Sequence, residues 1–473
     1  MKRLFRTPAR EEILHGHALR MMARIGFPAV ISSVLFTLYN LADAFWIGRL
    51  PGEQAREVMA GIQISWPFFW FIVSFVAGFG GAAVSALVAQ HMGAGRPKHA
   101  NFALNQLFTI SIFAGIVLGV AGYITTPHIV SFLVRDAAVA RHASTYLGVI
   151  FLGLPTMLLP QLFFFAFSAT GDTVTPLLVT VIGIGINIAL DPLLILGLSG
   201  FPQMGILGAA IATVAAQAVS TLVFLWLFRR GKGDLRYDRS ALRLRYGWLV
   251  KALRIGTPAA AGQSAVALGF VVLIWIIGRL DHAETALAGY GVADRIFGLL
   301  FIVTEGLGIG LTTMVGQALG AGMMDRARHV VRKGVGALIG ILVIEALVLW
   351  LARSSLVAVF MPGQDAVIRE GARFIELFAV GMPLLGAFFA AEAIYRGAGY
   401  NVPPMILGGV RLWGLRLPLA YLFAFTLQMQ ADGVWLGMSL SNVISGLASI
   451  GLLLSNKWQR TRVDEADETA VPA

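Results

Sequence analysis

Two aspartates stand inside long apolar runs of this chain, each with polar side chains about one helical turn away. Asp43 lies in TLYNLADAFWIG (residues 37–48), with Tyr39 and Asn40 one turn before it. Asp191 lies in NIALDP, and Asn187, four residues earlier, falls on the same helical face. Pro192 follows Asp191 at once and, lacking an N–H, is expected to loosen the backbone bonding one turn before it. A carboxylate, an amide and freed carbonyls offer oxygen ligands, which suit a proton or Na⁺. The expected chemistry is reversible cation binding at Asp43, Asp191 and Asn187.

Other ionisable residues share the apolar setting: Asp294, Arg295, Glu305, Glu345, Glu392, Arg411 and Arg416. A charge at the centre of a bilayer costs roughly 3 kcal/mol or more, so each is a functional candidate by default. Glu305 and Glu392 are kept as secondary candidates. Glu345 has no polar companion at helical spacing and reads as structural. Aromatic clusters such as Trp66–Trp70 and Phe163–Phe165 are candidates for lining a cavity that takes flat organic cations, but core or lipid-facing positions are the commoner use.

Helices in a bilayer must position these side chains. The 473 residues are 57% hydrophobic and only 13% charged, with a mean hydropathy of +0.78, whereas soluble domains carry about 25% charged residues. A span needs about 20 apolar residues. Spans are expected near 21–48, 58–88, 102–125, 143–166, 174–198, 205–228, 250–278, 286–316, 332–352, 370–395, 403–427 and 432–455. In lipid the backbone must satisfy its own hydrogen bonds, so these are helices. The expected fold class is an all-α integral membrane protein of twelve transmembrane helices.

The net charge of +11 invites a nucleic-acid reading, but Lys and Arg sit in short segments between the apolar runs. With the N-terminus inside, about 25 of the 36 basic residues fall on the cytoplasmic side, the pattern that sets topology and attracts anionic lipid. The strongest marker is the linker 229–249, with Arg229, Arg230, Lys232, Arg236, Arg239, Arg243 and Arg245. An even span count puts both termini inside, flanked by a basic N-terminal segment (1–20) and a C-terminal tail (456–473). The expected partners are the lipid bilayer and small solutes, with no nucleic acid, and the chain is expected to act as a monomer.

The halves 21–228 and 250–455 resemble one another. RIGFPA (24–29) matches RIGTPA (254–259), and IGRL recurs at 47–50 and 277–280. AQHMGAG (89–95) pairs with GQALGAG (316–322), GLP (153–155) with GMP (381–383), Gly171 with Gly399 and Pro176 with Pro404. Six spans repeated in one orientation make a parallel repeat, with a pseudo-twofold axis along the membrane normal and a cleft between two bundles. The acidic pair is not copied. Asp43 falls opposite Leu273, and NIALDP falls on a stretch near LRLPLA that carries Arg416 instead.

Enzyme signatures are missing. There is no cysteine, no Lys is followed by Ser or Thr as a Walker A motif needs, and no His is followed by Glu as a zinc helix needs. No cofactor is expected beyond H⁺ or Na⁺ as coupling ion. A channel is disfavoured, since nothing resembles a filter or a charged ring.

TLYNLADAFWIG, the GAG loops after spans 2 and 8, NIALDP, GAAIAT (208–213) and DGVWLG (432–437) together resemble the multidrug and toxic compound extrusion (MATE) family, in particular its prokaryotic DinF-like branch. The resemblance implies a V of two lobes in a prokaryotic inner membrane, exporting amphipathic, often cationic compounds in exchange for H⁺ or Na⁺. It implies that Asp43 and Asp191 are coupling carboxylates, with Asn187, Thr213, Tyr39 and Asn40 as hydrogen-bonding companions. Two departures stand out. The family's RGxGD element after span 4 reads SATGD here, with Ser168 in place of Arg, and no acid lies in the middle of span 7. The alternative reading is a flippase for a lipid-linked precursor, which would want a strongly basic cleft.

Overall fold

The computed structural model of the chain describes residues 6–51, 58, 62, 78–133, 137–238 and 243–459, apart from some side chains within that range. Among the described residues the regular elements are helices: α1 (Arg10–His15), α2 (Ala18–Ile47), the described part of α3 (78–93), α4 (Pro97–Leu133), α5 (Ala137–Leu152), α6 (Leu154–Thr170), α7 (Val174–Ile195) and α8 (Ile206–Arg230). The second half comprises α9 (Tyr246–Ile277), α10 (Ala283–Gly320), α11 (Met324–Phe360), α12 (Asp365–Ala379), α13 (Met382–Ala398), α14 (Val402–Thr426) and α15 (Gln430–Leu454).

Nine of these are long and apolar enough to cross a bilayer, and the count rises to eleven when each of the bent pairs α5–α6 and α12–α13 is taken as one span. The expected second span, 58–88, lies mostly outside the described residues, which hold its end in α3, and the spans among the described residues are consistent with a twelve-helix architecture. Many helices turn apolar side chains outward, among them Phe113, Ile116, Val120 and Ile124 on α4 and Ile344, Leu347 and Leu351 on α11. Water would penalise such a surface and lipid does not.

Spans 143–166 and 370–395, expected as continuous, are each broken. α5 meets α6 at 56° and α12 meets α13 at 60°. Gly153 and Gly381 precede the second helix in each pair, and Pro155 and Pro383 occupy its first turn. Proline lacks the N–H that a helix start leaves unbonded, so it fits there and not in the preceding helix. The matched GLP and GMP are therefore matched bends. Gly171 and Gly399, ending α6 and α13, both take left-handed backbone (φ 94° and 70°), which glycine adopts without strain.

Each half packs as a bundle. In the first, Phe163 is fully buried against Phe108, Phe224 and Phe228. It is a core residue rather than a cavity wall, while Trp66 and Trp70 lie outside the described residues. Truncating Phe163 to Ala should leave a void costing about 3–5 kcal/mol. The expected result is a clear fall in the thermal midpoint of the purified protein, with little change after Phe113→Ala on the lipid-facing flank.

The bundles are joined at the end assigned to the cytoplasm. Gly26 on α2 meets the backbone of Gly306 on α10, Gly93 that of Gln317, and Gly320 that of Gln90. Hydrogen bonds cross the seam in symmetric positions: Gln90 Nε2 donates to Gly397 O (3.0 Å) and Gln317 Nε2 to Ala169 O (2.9 Å). Thr313 Oγ1 adds a bond to Ser168 O (2.9 Å). The short helix α1 braces the same end. Arg10 donates to the carbonyls of Met92 and Gly93, and Arg326 of α11 to those of Ile13 and Gly16. The basic linker is strapped to α4, whose Asn101, Asn105 and Gln106 bond the backbone of Asp234, Arg236, Asp238, Arg243 and Arg245.

Candidate functional site

Asp191 and Asn187 are fully buried on α7 (0% exposed), and α2 packs along α7 so that Asp43, half-buried, faces them. With its amide nitrogen turned toward the carboxylates, Asn187 Nδ2 lies 2.9 Å from Asp43 Oδ1 and 3.1 Å from Asp191 Oδ2. One amide thus bridges two acids on different helices, and the two carboxyl groups are also within hydrogen-bonding reach of each other. The sequence placed Asn187 beside Asp191 by spacing alone. That it also reaches Asp43 is a tertiary fact.

The companions arrive from neighbouring helices. Tyr39, one turn before Asp43 on α2, shares a 3.0 Å hydrogen bond with Thr213 Oγ1 on α8, and both residues are buried. This bond ties the Asp43 helix to α8. The backbone of Asn40 is helical, but its side chain lies outside the described residues. Pro192 does not end α7, which continues to Ile195.

Sequence reasoning missed Tyr146. It is buried on α5 and within electrostatic reach of both carboxylates. A single tyrosine in an apolar helix gives no local signal, and only the packing of α5 on α8 delivers it.

Chemically, the site concentrates like charge where little water can screen it. Two carboxylates at this range cannot both stay ionised without a cation between or upon them. Binding a proton to either oxygen, or Na⁺ between them, removes the repulsion and alters what holds α2 against α7. Deleting the Tyr39 hydroxyl (Tyr39→Phe) should cost about 1 kcal/mol of stability. Thr213→Val should do the same, and the double variant no more than either alone, as a double-mutant cycle of unfolding free energies would show.

The secondary candidates sit in the second bundle, away from this pair. Glu392 on α13 is ion-paired with Arg396 (2.7 Å) and accepts from Gln263 Nε2 of α9 (3.3 Å). Glu305 on α10 is exposed and within electrostatic reach of both Glu392 and Arg396. Glu345 is buried on α11 with its Oε2 unpartnered, without the polar companions that a site would need. Ser168, where the sequence departs from the RGxGD pattern, offers its backbone carbonyl to the seam. Leu273, the counterpart of Asp43, is a buried core residue.

Comparison with known proteins agrees with this architecture. The MatE family model matches residues 28–193 and 258–422, once in each half. A probable multidrug resistance protein, YoeA of Bacillus subtilis, is 27% identical over 438 residues, covering 91% of this chain and 92% of its own. Among solved structures, a MATE in complex with MaL6 superposes with a TM-score of 0.86 at 21% identity, over 96% of this chain and 100% of that one. An outward-facing multidrug resistance MATE transporter gives 0.84 at 22% identity, with the same coverage.

Proposed function

The chain belongs to the MatE family, making it a membrane transporter rather than an enzyme, and from that premise we propose that it is a secondary antiporter exporting amphipathic, often cationic compounds in exchange for H⁺ or Na⁺. It works as a monomer in a prokaryotic inner membrane, with both termini in the cytoplasm. The observation that carries this reading is the Asn187 bridge between Asp43 and Asp191, in one bundle only, with Asp43 on α2, the helix that also enters the seam at Gly26.

The mechanism follows from linkage. A ligand shifts a two-state equilibrium only through its differential affinity for the states. The coupling cation and the cargo must therefore prefer different arrangements of the bundles. With the seam shut at the cytoplasmic end, the acidic pair can load from outside. Neutralisation relaxes the repulsion between α2 and α7, and α2 carries Gly26 into the seam. One event can thus expel cargo and prepare the bundles to reopen inward. The support is geometric: the pair and its bridge lie on α2 and α7, and α2 also enters the seam at Gly26.

The test is proton or sodium release on cargo binding. Tetraphenylphosphonium added to the weakly buffered, purified protein should displace H⁺ or Na⁺ in wild type and in neither form from Asp191→Asn. Cargo binding with no release of either cation in wild type would remove the coupling role of the pair.

A further inference from the structure

The second bundle holds buried charge that the coupling scheme leaves unused. Arg411 and Arg416 stand on a π-helical stretch of α14, Val410–Arg416, and are 8% and 3% exposed. π-helical turns are rare and concentrate at functional sites. Both guanidiniums converge on one amide oxygen: Arg416 Nη2 donates to Asn442 Oδ1 at 2.6 Å and Arg411 Nη1 to the same atom at 3.3 Å. Arg416 Nε also donates to Ser441 Oγ (3.1 Å), and Arg411 lies over the Phe388 ring at 4.4 Å.

The missing partner is an anion. Among the described residues neither guanidinium has a carboxylate within ion-pairing distance. Glu392 is taken by Arg396, and Asp294, which faces Arg416 at longer range, lies against Tyr290. Two further donors, Arg411 Nε and Asn442 Nδ2, are buried with no acceptor. Buried charges are ordinarily paired and buried donors ordinarily bonded. A cluster of guanidinium and amide donors short of acceptors fits a carboxylate or phosphate group.

Its place in the repeat sharpens the chemistry. Gly208 of α8 abuts Leu194 of α7, and Gly437 of α15 abuts Ala420 of α14, so these two crossings correspond. Thr213 stands five residues after Gly208, and Asn442 five after Gly437. Asp191 stands three residues before Leu194, while three before Ala420 is Leu417, adjacent to Arg416. The arginine cluster therefore occupies the second bundle's counterpart of the acidic site, with the opposite sign.

We propose that Arg411, Arg416 and Asn442 form an anion site that takes the carboxylate or phosphate group of a transported amphipathic compound. The cargo range then extends to zwitterions and organic anions. This rests on the exporter reading above, but the binding it asserts is measurable without transport.

The experiment uses the full chain in phosphatidylcholine nanodiscs with 1-naphthoate, inorganic phosphate and chloride as probes. Naphthoate should bind by calorimetry and raise the wild-type thermal midpoint, phosphate should compete, and chloride should compete weakly. Arg416→Met should weaken naphthoate binding by about tenfold or more, as loss of a charge-assisted donor pair implies, with Arg411→Lys intermediate. Phe113→Ala, on the lipid-facing flank, should bind naphthoate as wild type does, and the binding is read with no gradient imposed, which separates this claim from the coupling claim. Unchanged naphthoate affinity in both arginine variants would overturn the proposal. So would a wild-type midpoint insensitive to all three anions, a reading that needs no variant. Stabilisation by phosphatidylglycerol in the disc with no response to naphthoate would overturn it in favour of a lipid headgroup.

Discussion

Asp43→Asn should abolish gradient-driven export while leaving the protein folded. Asparagine keeps the size and hydrogen bonding of the side chain and loses the charge. The Asn187 amide still finds Asp191, and the packing of α2 on α7 is retained. What disappears is the like-charge conflict that only a cation relieves. Coupling between two ligands typically amounts to about 1–3 kcal/mol, and with the charge gone that linkage has no carrier, so export against a gradient should fall by about a hundredfold or more. The thermal midpoint should hold or rise, because removing one of two closely placed like charges relieves their repulsion. Exchange of labelled for unlabelled cargo, which needs no net cation movement, should persist. Uphill export by the Asn variant at wild-type rate would show that the acidic pair does not couple.

The second large effect concerns the seam. A Cβ at Gly93 would meet the backbone of Gln317, and one at Gly320 the backbone of Gln90. Backbone cannot yield as a flexible side chain does, so Gly320→Leu wedges the bundles apart where Gln90 and Gln317 make their crossing bonds. Overpacking of this kind costs about 1–3 kcal/mol, which moves a two-state equilibrium by roughly ten- to a hundredfold. Export should fall at least tenfold. The chain has no cysteine, so a single cysteine placed at Thr313 reports opening directly. Its labelling from the side of the termini should rise sharply in the Gly320→Leu background. Gly340→Leu, where a Cβ meets open space, should change neither quantity. Labelling unchanged by the wedge would show that the seam is not a gate.

Much of the fold was legible because a bilayer makes hydropathy and length sufficient to find a helix. The repeat was legible because residues with special backbone duties, Gly171 and Gly399 among them, recur in order. The bends at Gly153 and Gly381 were not, since apolarity runs straight through them and only the Pro after each glycine hints at a restart. The same holds at the site. Asp43, Asp191 and Asn187 were visible as polar residues in apolar runs, whereas Tyr146 and the Tyr39–Thr213 bond depend on which helices pack together. The arginines of α14 were visible only as isolated charges. Their convergence on Asn442 requires the crossing of α14 with α15.

The central claim is that the Asp43–Asp191 pair links cation entry to cargo exit. It is tested most directly in proteoliposomes, with export of a fluorescent organic cation followed while proton and sodium gradients are imposed one at a time. In wild type one of the two gradients should drive export, and in Asp43→Asn and Asp191→Asn neither should. Wild-type export that proceeds equally with both gradients collapsed would contradict the account and favour a flippase.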